Sequence, residues 1–173
     1  MPQNKIIAKS KRLILSPLTM DDLDSMLEIF SDPIAMSFSR VKNREEVKVR
    51  IQWNLDSYRD NSFGLWACKL KDSGQFIGCC GILLHPDIGG QEEKEISYHF
   101  IRNFWGFGYA SEAARACRDY GFETLRVPRL ISIIDPLHTA SQKVAERMGM
   151  KLEKEVQWLQ RNFNVFSIGN PSI

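Results

Sequence analysis

The sequence lacks the long apolar segments and the one-sided charge that mark membrane proteins and nucleic-acid-binding proteins. No apolar run comes near the roughly 20 residues that cross a bilayer, and the polar segment 1–11 has no apolar core typical of a secretory signal. The 23 basic and 21 acidic residues leave a net charge of only +2, which argues against a dominant nucleic-acid or anionic-membrane surface. We therefore expect a cytoplasmic protein with neither a membrane nor a nucleic-acid partner.

Residues that bind metals or form disulfides are also sparse. The four cysteines form no C-x-x-C pair, and the three histidines lie far from any such pair. Zinc sites take paired ligands at short spacing, and disulfide scaffolds are typical of shorter, secreted chains. We expect buried, reduced thiols and no metal site.

The composition itself is that of an ordinary globular domain. Hydrophobic residues make up 43% of the chain and charged residues 25%, whereas a disordered chain would be poorer in apolar residues. No internal repeat, low-complexity block or flexible linker interrupts the sequence, and its length suits one hydrophobic core. We expect a single domain over residues 1–173.

Hydrophobic periodicity predicts an α/β domain around a mixed sheet. Strands are predicted over 12–17, 63–70, 75–84, 95–101, 129–134, 150–158 and 164–168. Helices are predicted after the capping signals Thr19–Asp22 and Asn43–Glu46, over 109–124, and over 139–148 with Thr139 as its cap.

Two of the predicted strands carry more specific information. Gly78 and Gly81 indicate a bulge or a close backbone approach within the 75–84 strand. The 95–101 strand alternates cleanly, with Ile96, Tyr98 and Phe100 on one face and Glu95, Ser97 and His99 on the other. Such alternation is typical of a β-strand.

The stretch 105–113, with sequence WGFGYASEA, is the most informative part of the chain. Gly106 and Gly108 allow a tight turn, and the first amides of the following helix, at about 108–111, have no intrahelical acceptor. Such a helix start suits a phosphate or a pyrophosphate. A glycine turn that merely begins a helix is the alternative interpretation.

A dinucleotide-binding fold would use the same glycines, and Asp135 closes the next predicted strand as that fold requires. However, too few residues follow Asp135 to complete such a sheet. The glycines also follow the loop 102–105 and not the strand itself. This alternative is therefore disfavoured.

The 105–113 stretch resembles the pyrophosphate-binding motif of the GNAT acetyltransferases, and most closely the RimJ/RimL-like branch of ribosomal-protein N-terminal acetyltransferases. Residues 135–150 resemble the N-x-x-S-x-x-V-x-x-x-x-G-F segment of that branch. Residues 95–98 resemble its E-[IL]-G-Y strand, and residues 12–15 its R-L-x-L opening. The four motifs occur in the family's order and span essentially the whole chain.

This resemblance implies a mostly antiparallel mixed sheet of about seven strands, flanked by about four helices. It further implies a wedge where the fourth predicted strand, 95–101, splays from the fifth, 129–134. Acetyl-CoA would bind there as cosubstrate, without a metal. The implied cofactor-binding residues are Phe100, Ile101 and Arg102 for the pantetheine arm, Gly106, Phe107, Gly108, Tyr109, Ala110 and Ser111 for the pyrophosphate, and His138 in place of the usual Asn.

The resemblance also implies direct attack of an amine on the thioester, which needs a base, oxyanion donors and a proton for the thiolate. Glu95 matches the family's strand carboxylate and is the candidate base, with a structural ion pair as the alternative. Ser141 is the candidate proton donor, with a backbone-bonded helix serine as the alternative. Many relatives outside this branch carry a tyrosine acid where this chain has Ala145.

Three further residues are candidates near the acceptor amine. His138 could donate a hydrogen bond, act as an acid near neutral pH, or simply begin a helix. His99 shares a strand face with Glu95 and could line the acceptor pocket, or it could be a packed histidine. Phe38 lies in the loop 33–42, where an exposed apolar residue favours substrate contact.

The leading hypothesis is an acetyl-CoA-dependent N-acetyltransferase that acts on a primary amine, either a protein N-terminus or a small molecule. The alternative is a non-catalytic acyl-CoA-binding sensor or interaction module, which the vacant acid position at Ala145 favours. A homodimer is a family-level expectation.

Overall fold

Residues 5–173, which the computed structural model describes, form an eight-stranded sheet in the order β1-β2-β3-β4-β5-β6-β8-β7. Residues 1–4 of the polar leading segment lie outside the described part. The strands are β1 (Ala8–Lys9), β2 (Leu13–Pro17), β3 (Leu65–Leu70), β4 (Phe76–His85), β5 (Glu93–Phe100), β6 (Arg129–Ile134), β7 (Lys151–Trp158) and β8 (Arg161–Gly169). The helices are α1 (Leu23–Phe30), α2 (Arg44–Asp60), α3 (Tyr109–Glu123) and α4 (Thr139–Arg147).

The mixed, mostly antiparallel sheet confirms the predicted fold class. Every neighbouring pair of the described strands is antiparallel except β5 with β6. The sheet has one strand more than expected, because the two residues of β1 pair with Leu15 and Ile14 of β2. A strand this short joins through backbone hydrogen bonds and leaves no hydrophobic period in the sequence.

Both predicted capping boxes are present, whereas the cap of α4 was wrongly predicted. Asn43 and Glu46 bond reciprocally at the start of α2, and Thr19 and Asp22 do so before α1. The cap of α4 is His138, whose ring Nδ1 accepts from the Ser141 amide at 3.3 Å. Thr139 already lies inside the helix, so its hydroxyl cannot take the cap position.

Helices cover both faces of the sheet and bury two separate apolar clusters. On one face α1 and α2 pack through Phe30, Val47 and Ile51 onto β3 and β4. On the other face α3 and α4 pack against the rest of the sheet, through buried residues that include Cys117 and Val144. The four cysteines are buried free thiols.

Residues of β5 alternate between these two layers. Ile96 and Phe100 are buried in the cluster under α3 and α4, and Tyr98 packs against it. His99 faces the opposite layer, where its ring lies 4.9 Å from that of Phe30 in α1. Glu95 shares the parity of His99 and therefore the same face of the sheet.

The predicted wedge lies between β5 and β6. Along β4 the strand β5 pairs continuously from Glu93 to Phe100, but its parallel pairing with β6 has the single register pair Glu95–Ile131. The Ser132 hydroxyl donates to the Ile96 carbonyl at 3.0 Å and holds the strands together at this point. Beyond it, β5 has a free backbone edge.

Among residues 5–173 no helix is long and apolar enough to cross a membrane. The same residues contain no group of three or more His, Cys, Asp or Glu side chains placed to hold a metal ion.

Gly81 marks the close backbone approach that its position in β4 predicted. A Cβ atom there would lie 2.0 Å from the carbonyl oxygen of Gly64 and 2.7 Å from the Cα of Leu65. Backbone atoms cannot yield as the end of a flexible side chain can. The β3–β4 hairpin therefore requires glycine at this position.

We expect Gly81→Ala to lower the free energy of unfolding by about 2–3 kcal/mol, since the added methyl must displace backbone in a packed sheet. Urea denaturation followed by circular dichroism measures the change. Gly169→Ala is the matched control, because a Cβ there meets no atom within 4 Å. Equal midpoints for both variants would contradict the close approach.

Candidate active site

The turn before α3 presents three free amides at the helix start. Gly106 and Gly108 have φ angles of +84° and +82°, and Gly108 is the left-handed N-cap. The first intrahelical bond runs from the Glu112 amide to the Gly108 carbonyl. The amides of Tyr109, Ala110 and Ser111 therefore have no acceptor within the helix and carry its positive end.

A basic cavity of about 440 Å³ lies beside this helix start. Gly108 and Ser111 contribute to its wall, and the charged residues that line it are Lys11, Arg12, Glu112, Arg115 and Arg147. The Ser111 hydroxyl is buried and has no hydrogen-bond partner among residues 5–173. Three free amides, an unpaired hydroxyl and a surplus of cations fit a phosphate or pyrophosphate group.

The acidic side chain that lines this cavity, Glu112, is an ionised carboxylate that is paired with Arg12. Glu112 accepts from the Ser10 hydroxyl at 2.7 Å, from the Arg12 amide at 2.6 Å and from the Arg12 Nε at 2.7 Å. Burial opposes its ionisation, but these hydrogen bonds prevail and hold the pKa of the Glu112 carboxyl below its ordinary value. Arg12 also donates to the Phe107 carbonyl at 3.0 Å, which fixes the glycine turn.

The three residues implied to bind the pantetheine arm lie at the free end of β5. The Ile101 amide donates to the Ile77 carbonyl of β4 at 3.0 Å, and the Phe100 carbonyl accepts from the Trp105 indole at 2.8 Å. The Arg102 side chain pairs with Asp32 at 3.2 Å, away from the basic cavity. Strand-like pairing of this backbone with the cofactor stays a prediction.

Glu95 lies at the point where β5 and β6 join. Its Oε2 is 2.7 Å from the Nε2 of His85, and its Oε1 accepts from the Ile133 amide at 3.4 Å. Only 12% of the Glu95 side chain is exposed. The carboxylate thus has a titratable partner, which the sequence did not reveal because the contact depends on the register of β4 and β5.

Ser141 forms a hydroxyl pair with Tyr98. Their side-chain oxygens are 2.8 Å apart, and the Tyr98 hydroxyl donates to the Ser141 carbonyl at 2.9 Å. Burial raises the pKa of Tyr98 above its ordinary value, despite the opposing hydrogen bond to Ser141. The phenol is therefore protonated at neutral pH and can donate.

His138 and Phe38 stack on each other at the start of α4, where His138 is the N-cap. Their ring centroids are 4.2 Å apart, so Phe38 is partly buried and not the freely exposed residue that its loop position suggested. Burial lowers the pKa of His138, while Asp135 opposes the shift less strongly. The ring is neutral at pH 7, which disfavours the acid role and leaves Nε2 as a hydrogen-bond donor.

His99 is also neutral. Burial, with the charges of Arg50 and Lys42, lowers its pKa to about 3. It therefore lines the α1–α2 side of the wedge as an uncharged ring beside Phe30. The candidates fall into two groups, with Glu95 and His99 on this side of β5 and Tyr98 with Ser141 on the other.

Residues 12–151 match the model of the acetyltransferase (GNAT) domain family. The chain belongs to the GNAT acetyltransferases. The uncharacterized protein YkkB of Bacillus subtilis is 38% identical over 130 residues, or 75% of each chain. The uncharacterized N-acetyltransferase p20 of Bacillus licheniformis is 28% identical over 147 residues, 83% of this chain and 82% of its own. An acetyltransferase structure from Agrobacterium tumefaciens aligns with a TM-score of 0.79, at 28% identity and 92% coverage of both chains.

Membership identifies this GNAT chain as an acetyl-CoA-dependent N-acetyltransferase. GNAT enzymes use acetyl-CoA, whose diphosphate and ribose phosphate are the anionic groups that the basic cavity fits. Glycine at 106 and 108, a buried free hydroxyl at 111 and the cationic lining meet that requirement together.

We expect Gly108→Val to weaken acetyl-CoA binding by about tenfold or more, equivalent to about 1.4 kcal/mol. A β-branched residue cannot hold the left-handed φ without strain, and its side chain would enter the phosphate cavity. Isothermal titration calorimetry with acetyl-CoA measures the affinity. Gly74→Val is the matched control, because Gly74 also has a positive φ but lies in open space in the β3–β4 turn. Unchanged affinity in a folded Gly108→Val protein would refute the phosphate role of this turn.

Proposed function

We propose that this enzyme transfers the acetyl group of acetyl-CoA directly to a primary amine, without an acyl-enzyme. Bound acetyl-CoA supplies an activated thioester carbonyl. The observation that carries the proposal is the combination of the basic cavity at the start of α3 with the split between β6 and β5, the strand that precedes α3. Together they offer a cationic site for the phosphate groups and a free strand edge for the rest of one elongated cosubstrate.

We assign proton removal from the amine to Glu95. The carboxylate is mostly buried and bonded to His85, so a proton that it accepts has a second basic site 2.7 Å away. His85 is itself partly exposed, at 16% of its side chain. A pair of this kind holds the carboxylate in one rotamer and offers the proton a route out.

We assign proton delivery to the departing sulfur to the Ser141 hydroxyl, supported by Tyr98. A lone serine is a weak acid, but the Tyr98 hydroxyl lies 2.8 Å from Ser141 Oγ and can turn its proton from the Ser141 carbonyl to Oγ as the serine proton leaves. This arrangement supplies a phenol from β5 where many relatives have one on α4. Ala145 is fully buried, so the α4 position is used for packing.

The acceptor is either a small amine or a protein N-terminus, the latter supported by the motifs of the RimJ/RimL-like branch. For the cofactor we propose the backbone of Phe100, Ile101 and Arg102 for the pantetheine arm and residues 106–111 for the pyrophosphate. His138 and Phe38 stand at the acceptor entrance. A cytoplasmic location and a homodimer stay predictions.

The proposal is tested by the release of free thiol from acetyl-CoA with and without amines, including short peptides with free N-termini. We expect thiol release to depend on the amine and the acetylated amine to appear in equal amount by mass spectrometry. Slow thiol release that no amine accelerates would instead indicate an acyl-CoA-binding module.

Replacing Glu95 by Gln should lower kcat by about 100-fold or more and leave the dissociation constant of acetyl-CoA unchanged, since general-base removal costs this much. We also expect the shape of the pH–rate profile to change, because a group that titrates has been removed. Steady-state kinetics from pH 5 to pH 10, roughly the range of general-base titration, measures both effects.

The control for this substitution is Glu92→Gln, which removes an exposed carboxylate just before β5. Its kinetics should match those of the parent enzyme. An unaltered pH–rate profile in Glu95→Gln would exclude Glu95 as the base and leave it as the structural partner of His85.

A further inference from the structure

Two cations lie on the ring of Phe30, on the same side of the sheet as Glu95. The guanidinium carbon of Arg50 in α2 is 4.9 Å from the Phe30 ring centroid, and the Lys42 ammonium is 5.2 Å from it. The His99 ring packs on Phe30 as well, at 4.9 Å. Phe30 thus gathers two positive charges around a neutral histidine.

Neither cation has a carboxylate partner among residues 5–173. The acidic side chains nearby are paired with other residues, Asp24 with Arg44, Asp32 with Arg102 and Glu46 with Arg40. The Nε of Arg50 is buried and makes no hydrogen bond within this part of the chain. The Lys42 ammonium donates to the Arg40 carbonyl at 3.3 Å, and the charge of Glu46, which is paired with Arg40, acts on it only without direct contact.

This arrangement costs free energy unless an anion completes it. A buried N–H without a partner loses its hydration and gains nothing in return. Burial lowers the pKa of both Arg50 and Lys42, and the charge of Arg50 lowers the pKa of Lys42 further. The Phe30 ring stabilises the two charges, but it leaves the Nε–H of Arg50 without a hydrogen-bond acceptor.

The pair also lies on the side of β5 that carries the proposed base, because Phe30 contacts Arg50, Lys42 and the His99 ring. Arg50 is close enough for the charge of Glu95 to act on it, and close enough itself to lower the pKa of His99. Glu95 and His99 are on the β5 face that carries the proposed base. The phosphate cavity is built from Lys11 and Arg12 just before β2, from α3 with its N-cap Gly108, and from Arg147 of α4, and it uses a separate set of cations.

We propose that the acceptor is a small amine that carries a carboxylate or a phosphate group, and that Arg50 and Lys42 bind this group while the amine reaches Glu95. This inference rests on the proposed function. A guanidinium matches a carboxylate or phosphate through two parallel hydrogen bonds. Polyamines are the class that these charges repel.

The test compares amines in pairs that differ only in the anionic group. Suitable pairs are glycine and β-alanine with their amides, and O-phosphoethanolamine with ethanolamine. We expect kcat/KM to be at least about tenfold higher for the anionic member of the accepted pairs. A carboxylate makes a neighbouring amine more basic and leaves less free amine at a given pH, so this preference must come from binding.

Variants then assign the preference to the two residues. Arg50→Gln and Lys42→Gln should each reduce the ratio of kcat/KM within a pair by about tenfold, and Arg50→Lys should retain part of it. The dissociation constant of acetyl-CoA should not change in any of them. Lys48→Gln, which removes an exposed charge from the same helix, is the control and should keep the full ratio. If Arg50→Gln folds poorly, Lys42→Gln still tests the proposal, because Lys42 lies outside α2 and its replacement leaves the core of that helix intact.

The outcomes separate this inference from the function on which it rests. Acetylation of neutral amines at least as fast as of their anionic partners would overturn the inference and leave the proposed function standing. A charge preference that survives both glutamine variants would overturn the inference as well. Binding of acetyl-CoA without acetylation of any amine or peptide would overturn the proposed function itself.

Discussion

The incomplete pairing of β5 with β6 is the constraint on which the site depends. One register pair, Glu95 with Ile131, and the Ser132 hydroxyl on the Ile96 carbonyl hold the two strands together at one end. From there β5 continues along β4 alone, so one edge of its backbone is free in the middle of a sheet. A free central edge is unfavourable unless another extended group pairs with it. An elongated cosubstrate meets that requirement, which gives the wedge a physical reason.

The cavity at the start of α3 and the Arg50–Lys42 pair differ in how their positive charges are paired. At the start of α3 the carboxylate that lines the basic cavity, Glu112, is paired with Arg12 and Ser10, so it offsets the charge of Arg12 and leaves Lys11, Arg115 and Arg147 as the other lining cations. By contrast, Arg50 and Lys42 have no carboxylate partner in the described part of the chain. The first arrangement suits the phosphates of acetyl-CoA, and the second suits the anionic acceptor that we propose.

Burial also sets the protonation states of three side chains near β5. It keeps His99 and His138 neutral at physiological pH and keeps Tyr98 protonated. Neither histidine is therefore a cationic acid at neutral pH. The base and the acid that we propose lie on opposite faces of β5, with the Glu95–His85 pair on one face and the Ser141–Tyr98 pair on the other.

The sequence by itself determined the features that depend on near neighbours along the chain. Period, capping boxes and turn residues predicted the helices and seven of the eight strands, and the 105–113 motif indicated the phosphate-binding helix start. The contacts that give the site its chemistry join residues far apart in sequence: His85 to Glu95, Tyr98 to Ser141, and Arg50 to Phe30. They depend on strand register and on helix packing across a sheet, which no local pattern encodes. Only the tertiary structure could therefore decide which charges are paired and which remain free for a substrate.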